Sequence, residues 1–533
     1  MNNGERTKNK LSIYLIKEGI IEPEKIIKIE KANGGTDAIT DSITVYIRKN
    51  TGYTPKWVND FFVGFLDETQ LMGSTVGCAA LVRVYLNKGK TEERFFVLSF
   101  GYGYLLINDE AIERRFGLKC VLNHVSANSI RQLRTTSVSG NARKNSEQMP
   151  KQSSIAEFSI NVEQDLLNGV TAVGEKDSLL PGSITGADSL SVTAPINIKS
   201  IEQYLLDIYG LYKKDVYKEN FPWVDQIAPV KDKTLIAKLE EEAIRLLTSG
   251  DPTLWFAVPE NIKWEEIAGF RYSKRQDLVD DILTDDVLKV FNNDLSDFSK
   301  LKSKRVYAVD SKTEEDSQSW SLNRCLYGEF SFESNQYCVS DGMWYQISKD
   351  FAKEISDDYA SSNLCDLNFP DYVNMKDEAA YNKALSDSNQ DFLSMDRKNI
   401  VYGGGRSQIE LCDVLTKDNQ FIHVKRYSGS SVMSHLFNQG LVSMELVKRD
   451  RDFLDKANKK IAEINKSQDF QLSHLDGAEV VYGIITKEKV EIPNLPFFSK
   501  VAFHYIKQRF QVMGVKVSLK AIYDPSKDRR VKN

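Results

Sequence analysis

The chain has 533 residues, 41% of them hydrophobic and 27% charged, with 13 prolines and 30 glycines. This excludes collagen-like and long disordered chains and fits a globular protein of about three domains at roughly 150 residues each. Lys and Arg number 70 against 75 Asp and Glu, a formal charge of −5, which excludes a uniformly basic nucleic-acid coat but not an enzyme with local basic patches.

Met1 to Lys10 is polar and basic, so no secretion signal is expected. No apolar run approaches the roughly 18–20 residues that span a bilayer, and a cytoplasmic protein that does not engage membranes is expected. Residues 11–107 read mostly as strands. Leu11–Ile16, Ile43–Ile47, Phe61–Phe65, Val76–Leu86, Arg94–Phe100 and Tyr104–Ile107 are β-branched or aromatic runs. A hairpin turn falls at Asn87-Lys88-Gly89. A helix follows over Asp109–Phe116, capped by Asn108 or Asp109 and ended by Gly117. Thr135–Ser154, "TTSVSGNARKNSEQMPKQSS", has almost no large apolar residue and reads as an exposed loop. Its Arg143 and Lys144, near Arg131 and Arg134, are either solvated or in contact with phosphate. Residues 1–155 form the expected β-rich N-terminal domain.

A mixed α/β middle region spans 156–310. Ser200–Lys213 and Lys231–Ser249 have helical periodicity, and Leu235, Leu239, Ala243 and Leu246-Leu247 mark the buried face of the second. Glu240–Glu242 is a solvated face. Leu254–Val258 and Arg305–Val309 are short strand candidates. From 311 to 533 the pattern sharpens into a third domain. "CLYGEFSFESNQYCVSDGMWYQIS" gives short strands turning at Ser334-Asn335 and Asp341-Gly342. Helices follow at Phe351–Ala360 and Asp377–Ser386. Strands Gln408–Leu415 and Gln420–Tyr427 flank a turn at Lys417-Asp418-Asn419. Helices Ser431–Val447 and Asp452–Ile464, strand Glu479–Thr486, helix Phe498–Met513 and strand Val515–Tyr523 complete the chain. The fold class is α+β or α/β and multidomain, ending in a mixed sheet flanked by helices.

Cys78, Cys120, Cys325, Cys338, Cys365 and Cys412 are scattered without CxxC spacing, which argues for reduced thiols and against zinc. No GxxxxGK[ST], HExxH or GxSxG motif occurs, and Gly403–Arg406 reads as a turn before a strand. The strongest constellation is "QIELCDVLTKDNQFIHVKRYSG", Gln408–Gly429. Its two strands carry Glu410, Asp413, His423 and Lys425. His423 and Lys425, two apart, point the same way, whereas a regular strand sets Glu410 and Asp413 on opposite faces unless a bulge re-aims one. Such carboxylates can hold Mg²⁺ or Mn²⁺, with a lysine to orient the attacking water, and Glu378 on a preceding helix is a candidate third ligand. The alternative is two amphipathic strands that carry charges without chemistry. His423 is a poor ligand for such an ion.

This stretch resembles the core of the PD-(D/E)xK nuclease superfamily, with its restriction-endonuclease-like sheet. Asp413 matches the first acid and Lys425 the lysine. His423 stands where the second acid is expected, a departure that Glu410 or Glu378 would have to make good. The whole chain also resembles a sporadically distributed, poorly characterised bacterial family, through "FGYGYLL…ERRFGLK", "DGMWYQI", "IELCDVLT…FIHVKRYSGSSVMSHLFNQG" and "LPFFSKVAFHYIKQRF". That resemblance implies an anti-phage or mobile-element setting. It leaves open an active nuclease, an inactive nucleic-acid-binding or sensor protein, and a scaffold of a defence complex, as a homo-oligomer or with a partner protein.

Residues around the hairpin extend the expected nucleic-acid contact. Arg426 adjoins the lysine. Ser430 and Ser431 lie at a helix start, as phosphate contacts or simple caps. His435 and Gln439 share a face one turn further on. From Tyr505 to Asn533, eight Lys/Arg against two Asp give a net +6, either a solvated tail or a backbone-tracking one.

Overall fold

The computed structural model describes residues 8–53, 73–137, 143–161, 165–259, 262, 264–273, 277–311, 315–402, 408–465, 468–473 and 475–526. The expected strand Phe61–Phe65, the Gly403–Arg406 turn and the tail beyond 526 lie outside the described residues. The chain forms two compact units. The first comprises Met1–Thr136, Lys144–Val162 and Leu166–Val224, and the second is mostly Asp225–Asn533. The boundary expected at 155 falls inside the first unit, because Ser189–Ala194 pairs with Asn9–Leu15 in one sheet. The boundary at 310 falls inside the second, because Leu254–Phe256 pairs with Leu326–Phe332.

A ten-stranded sheet dominates the first unit. At its centre, Asn9–Leu15 pairs antiparallel with Ser189–Ala194 on one side and Glu93–Phe100 on the other. Leu11, Ile13 and Leu15 alternate inward and pack with Leu190, Val192 and the helix residues Phe116, Leu118, Leu205 and Ile208. Much of Thr135–Ser154 is strand and not loop: Ile130–Ser137 and Arg143–Ser153 are strands at one edge of the sheet. An edge strand needs little apolar content, so composition misreads it. Tyr104–Leu106 belongs to a 3-10 turn, Gly101–Leu106, and Ile107 makes only an isolated bridge to Ile27. The helix runs Phe116–His124, after a single 3-10 turn at Asp109–Ala111. Gly117 opens that helix instead of closing it, because a Cβ there would stand 1.9 Å from the Ser189 carbonyl oxygen.

The second unit carries a five-stranded antiparallel sheet, ordered Ile227–Pro229, Met343–Ile347, Asn335–Ser340, Leu326–Phe332, Leu254–Phe256. A three-stranded sheet, Ile267–Arg271, Arg305–Asp310 and Asp316–Ser321, lies in the same unit. Helix Lys233–Ser249 is capped as its sequence requires: Asp232 accepts from the amides of Thr234 and Leu235, and Gly250 ends it at φ 71°.

The C-terminal part of this unit holds the site. Its elements are α1 (Lys349–Ala360), β1 (Asn363–Leu364), α2 (Glu378–Asp387), β2 (Phe392–Ser394), β3 (Val414–Thr416), β4 (Gln420–Arg426), α3 (Ser430–Arg449), α4 (Arg451–Ile464), β5 (Glu479–Thr486), α5 (Phe497–Val512) and β6 (Lys516–Tyr523). The strands form one mixed sheet in the order β1-β6-β5-β4-β3-β2. β4, β5 and β6 run parallel, whereas β2, β3 and β4 are antiparallel neighbours. Parallel neighbours need crossovers, and α3 with α4 supplies one while α5 supplies the other. Alternation along the central strands buries both faces. Phe421, Val480, Tyr482 and Ile484 pack with Phe437 of α3 and Phe503 of α5. Ile422, Val424, Val481 and Ile485 pack with Tyr381 and Leu385 of α2. The sheet is therefore a middle layer between α2 and the α3/α5 pair. Among the described residues, no helix is long and apolar enough to cross a membrane.

Candidate functional site

The β3–β4 hairpin turns at Lys417-Asp418-Asn419, with Asn419 at φ 58°. Upstream, the expected strand Gln408–Leu415 is broken. Gln408–Ile409 pairs with Ile400–Val401 in a separate two-stranded ribbon, and the main sheet resumes at Val414. The break frees Glu410 and Asp413 from strict alternation, so they face together. Asp413 stays pinned at its backbone: its N–H donates to Ile422 O at 2.9 Å and its carbonyl accepts from Met395 N at 2.8 Å. The second bond extends the β2–β3 pairing and brings the next residue, Asp396, alongside.

Asp396, Glu410 and Asp413 each offer a carboxylate oxygen, and these oxygens lie within 4.8 Å of one another. Neighbouring donors hold them there. Asn382 Nδ2 donates to Asp396 Oδ1 at 3.2 Å and to Asp413 Oδ1 at 3.0 Å. The amide of Val424 donates to Asp413 Oδ2 at 2.7 Å, and that of Arg397 to Glu410 Oε1 at 2.7 Å. Burial pushes the Asp413 carboxyl well above the usual range; the Val424 N–H opposes this, and the charges of Glu410 and Asp396 add to it. A set of carboxylate oxygens that repel one another suits a hard divalent cation such as Mg²⁺ or Mn²⁺.

Glu378, at the start of α2, is not the third member of this group; Asp396 is. Glu378 instead accepts from Lys425 Nζ at 2.7 Å and from the Arg426 amide at 3.0 Å. Glu378 and Asn382 are four residues apart on α2, so their side chains leave the same face of the helix about one turn, roughly 5–6 Å, apart. Arg426 is engaged on its other side. Its Nη1 meets Asp524 at 2.5 Å, and its guanidinium lies 4.5 Å from the centre of the Tyr372 ring. Asp524 is buried, yet bonds from Ser526, Lys487 and Arg426 outweigh that burial and hold its carboxyl far below the usual range.

His423 does not share the site with Lys425. It is 3% exposed and stacks obliquely 6.1 Å from Tyr482, beneath α3. Burial lowers its pKa to about 4, which keeps it neutral, and its Nε2 has no hydrogen-bond partner. The position expected for a second acid is therefore part of the core. α3 begins at Ser430 with Gly429 as its N-cap, and the side chains of Ser430 and Ser431, like that of Arg143, lie outside the described residues. His435 is exposed on α3 and Gln439 half-buried, while Lys144 lies in the edge strand of the first unit. The basic C-terminal segment is partly neutralised in place: Lys507 pairs with Asp358 at 2.8 Å and Arg509 with Glu445. All six cysteines are free thiols.

Asp396 and Asn382 escape the sequence analysis. Asp396 leaves one signal, a carboxylate just past a short apolar run ahead of the acidic hairpin. Asn382 leaves none, since it sits in an ordinary amphipathic helix.

The fold and site thus define a mixed α+β protein with an oxygen-rich acidic cluster at its C-terminal sheet. A family of unknown function (DUF6119) matches residues 11–523, and the chain belongs to that family. No curated protein and no solved structure matches it.

Proposed function

We propose that this protein is a divalent-cation-dependent nuclease with a PD-(D/E)xK-like core in its C-terminal sheet. The observation that carries the proposal is the gathering of Asp396, Glu410 and Asp413 within 4.8 Å, beside the helix whose Glu378 pairs with Lys425. An antiparallel hairpin running into parallel strands, with helices on both faces, supports it. Asp396, Glu410 and Asp413 would hold Mg²⁺ or Mn²⁺. Such an ion supplies polarisation of a phosphate and a lower pKa for a bound water. Lys425, drawn from Glu378 by an arriving phosphate, would orient the water and offset the developing negative charge. Glu378, once released, would be free to take the proton of that water.

The test incubates purified full-length protein with DNA and RNA in Mg²⁺ or Mn²⁺. Cleavage by the wild type, reduced about a hundredfold or more in Asp413→Asn and Lys425→Ala, is expected. Equal cleavage by wild type and Lys425→Ala removes Lys425 from the mechanism. Absence of cleavage by the wild type under either metal ends the nuclease proposal.

A second reading, a nucleic-acid-binding or sensor protein with an inactive core, draws on His423, which occupies the second acid's position as a buried core residue. It predicts salt-sensitive binding without cleavage. An anti-phage or mobile-element setting for either activity is what the sequence resemblance implies. Phage plating on cells that express wild type or Asp413→Asn tests this setting. Protection that depends on a co-purifying partner and not on Asp413 would favour a scaffold.

A further inference from the structure

Asn382 has a feature that the nuclease proposal leaves unused. The residue is 2% exposed, on the second turn of α2 between the buried anchors Tyr381 and Leu385. Its Nδ2 donates to Asp396 and Asp413, so the amide points into the carboxylate group. Its Oδ1, on the same planar amide, has no hydrogen-bond partner. Buried amide oxygens are rarely left so, because the lost hydration is not replaced.

We propose that Asn382 is itself a cation ligand: when a hard divalent cation enters among Asp396, Glu410 and Asp413, the amide turns over and Oδ1 takes the place of Nδ2. The inference rests on the metal centre proposed above and not on nuclease activity. The N–H groups that now hold two carboxylates present the positive end of the amide to the cation's position, and a dication reverses which end is favoured. Oxygen and NH₂ are nearly the same size, so the turn needs no new volume in the packed site. Tyr381 and Leu385 are fully buried and fix the helix, which leaves the side chain as the part that moves. Three carboxylates and one amide oxygen give four hard donors, and octahedral coordination then leaves positions for water or a phosphate oxygen. The chemistry also accounts for an amide at 382 in place of a fourth acid. Three carboxylates with a dication sum to one negative charge, and a fourth would repel an anionic phosphate further.

The test is Mn²⁺ binding by full-length, metal-stripped protein, read by electron paramagnetic resonance, for wild type, Asn382→Leu and Asn382→Asp. The wild type should bind Mn²⁺, and Asn382→Leu should bind about tenfold or more weakly. Asn382→Asp keeps an oxygen at the site and should bind at least as tightly as wild type. If the amide is only an N–H clamp for the carboxylates, Asn382→Asp loses both donors, adds repulsion and binds weakly, which overturns the proposal. Undiminished binding by Asn382→Leu, or no binding by the wild type, overturns it too. Circular dichroism establishes that each variant is folded, and should Asn382→Leu fail there, Asn382→Asp decides alone. The predicted Mn²⁺ pattern without cleavage of DNA or RNA would end the nuclease proposal and leave the ligand in place. Cleavage together with weak Mn²⁺ binding by Asn382→Asp would do the reverse.

Discussion

His423 makes the C-terminal core sensitive to acid, by an amount that the structure sets. Its pKa falls from 6.5 to about 4 because burial penalises the imidazolium. At about 1.4 kcal/mol per unit, the shift is equivalent to about 3 kcal/mol. The unfolded chain takes up this proton below about pH 6.5, while the folded chain refuses it until about pH 4. The stabilisation is therefore complete above the unfolded value and is lost as pH falls toward the folded one. Roughly 2.5 kcal/mol should be gone by about pH 4.5. Asp413 titrates with the opposite sign in part of the same window, so the wild-type curve alone is ambiguous. The informative quantity is the difference from His423→Gln, which reaches the same space without titrating. Two compact units need not unfold together, so hydrogen exchange of β4 and β5 amides is the appropriate probe of this core. The wild type should lose protection relative to His423→Gln between about pH 7 and pH 4.5 by the stated amount. Parallel curves for the two proteins, or an imidazole resonance of His423 titrating near its ordinary value, would show that burial does not hold His423 neutral.

Asp413→Asn should leave the metal-free core as stable as wild type or more so near neutrality, because the folded-state carboxyl is raised. A raised acid stabilises at low pH and loses that contribution as pH climbs past about 3.9, so the variant should flatten this decline in urea unfolding. Mg²⁺ at about a hundredfold excess over Kd should stabilise wild type by about 2.7 kcal/mol and the variant by much less; equal gains would remove Asp413 from the cation site. Gly117→Ala should cost the first unit about 3 kcal/mol or more in denaturant unfolding, since its Cβ would meet the Ser189 oxygen at 1.9 Å; a neutral result would contradict the close approach of helix and strand. A Cβ at Gly440 would stand 2.5 Å from the hydroxyl of Tyr482, which donates to Phe437 O at 2.7 Å. Gly440→Ala should therefore destabilise by about 2 kcal/mol, and Tyr482→Phe should relieve part of that cost in a double-mutant cycle. Additive effects would mean that the two groups do not meet.

Local pattern was enough for much of the architecture. The apolar runs expected as strands at Gln420–Tyr427 and Glu479–Thr486 are the two central strands, three-to-four spacing locates Lys233–Ser249, and the expected helices coincide with α1 to α5 within a few residues. It also placed Asp413 and Lys425 on successive strands of one hairpin. These features depend on neighbours in sequence, which is where periodicity carries information. The departure of Gln408–Ile409 into a separate ribbon and the edge strand Arg143–Ser153 are not legible locally, because a change of sheet and a sheet edge depend on pairing with other segments. Gly117 was misread for the same reason: its constraint is a carbonyl from residue 189. His423 and Lys425 alternate alike along β4, yet one lies in the core under α3 and the other reaches α2, since the strand's end opens to solvent where its middle does not. The hairpin and its charged residues follow from neighbours along the chain. The meeting of Asp396, Glu410 and Asp413, and the amide of Asn382 bonded to two of them, arise only on folding. That convergence is set by the β2–β3 pairing and the packing of α2, contacts between segments that no local spacing encodes.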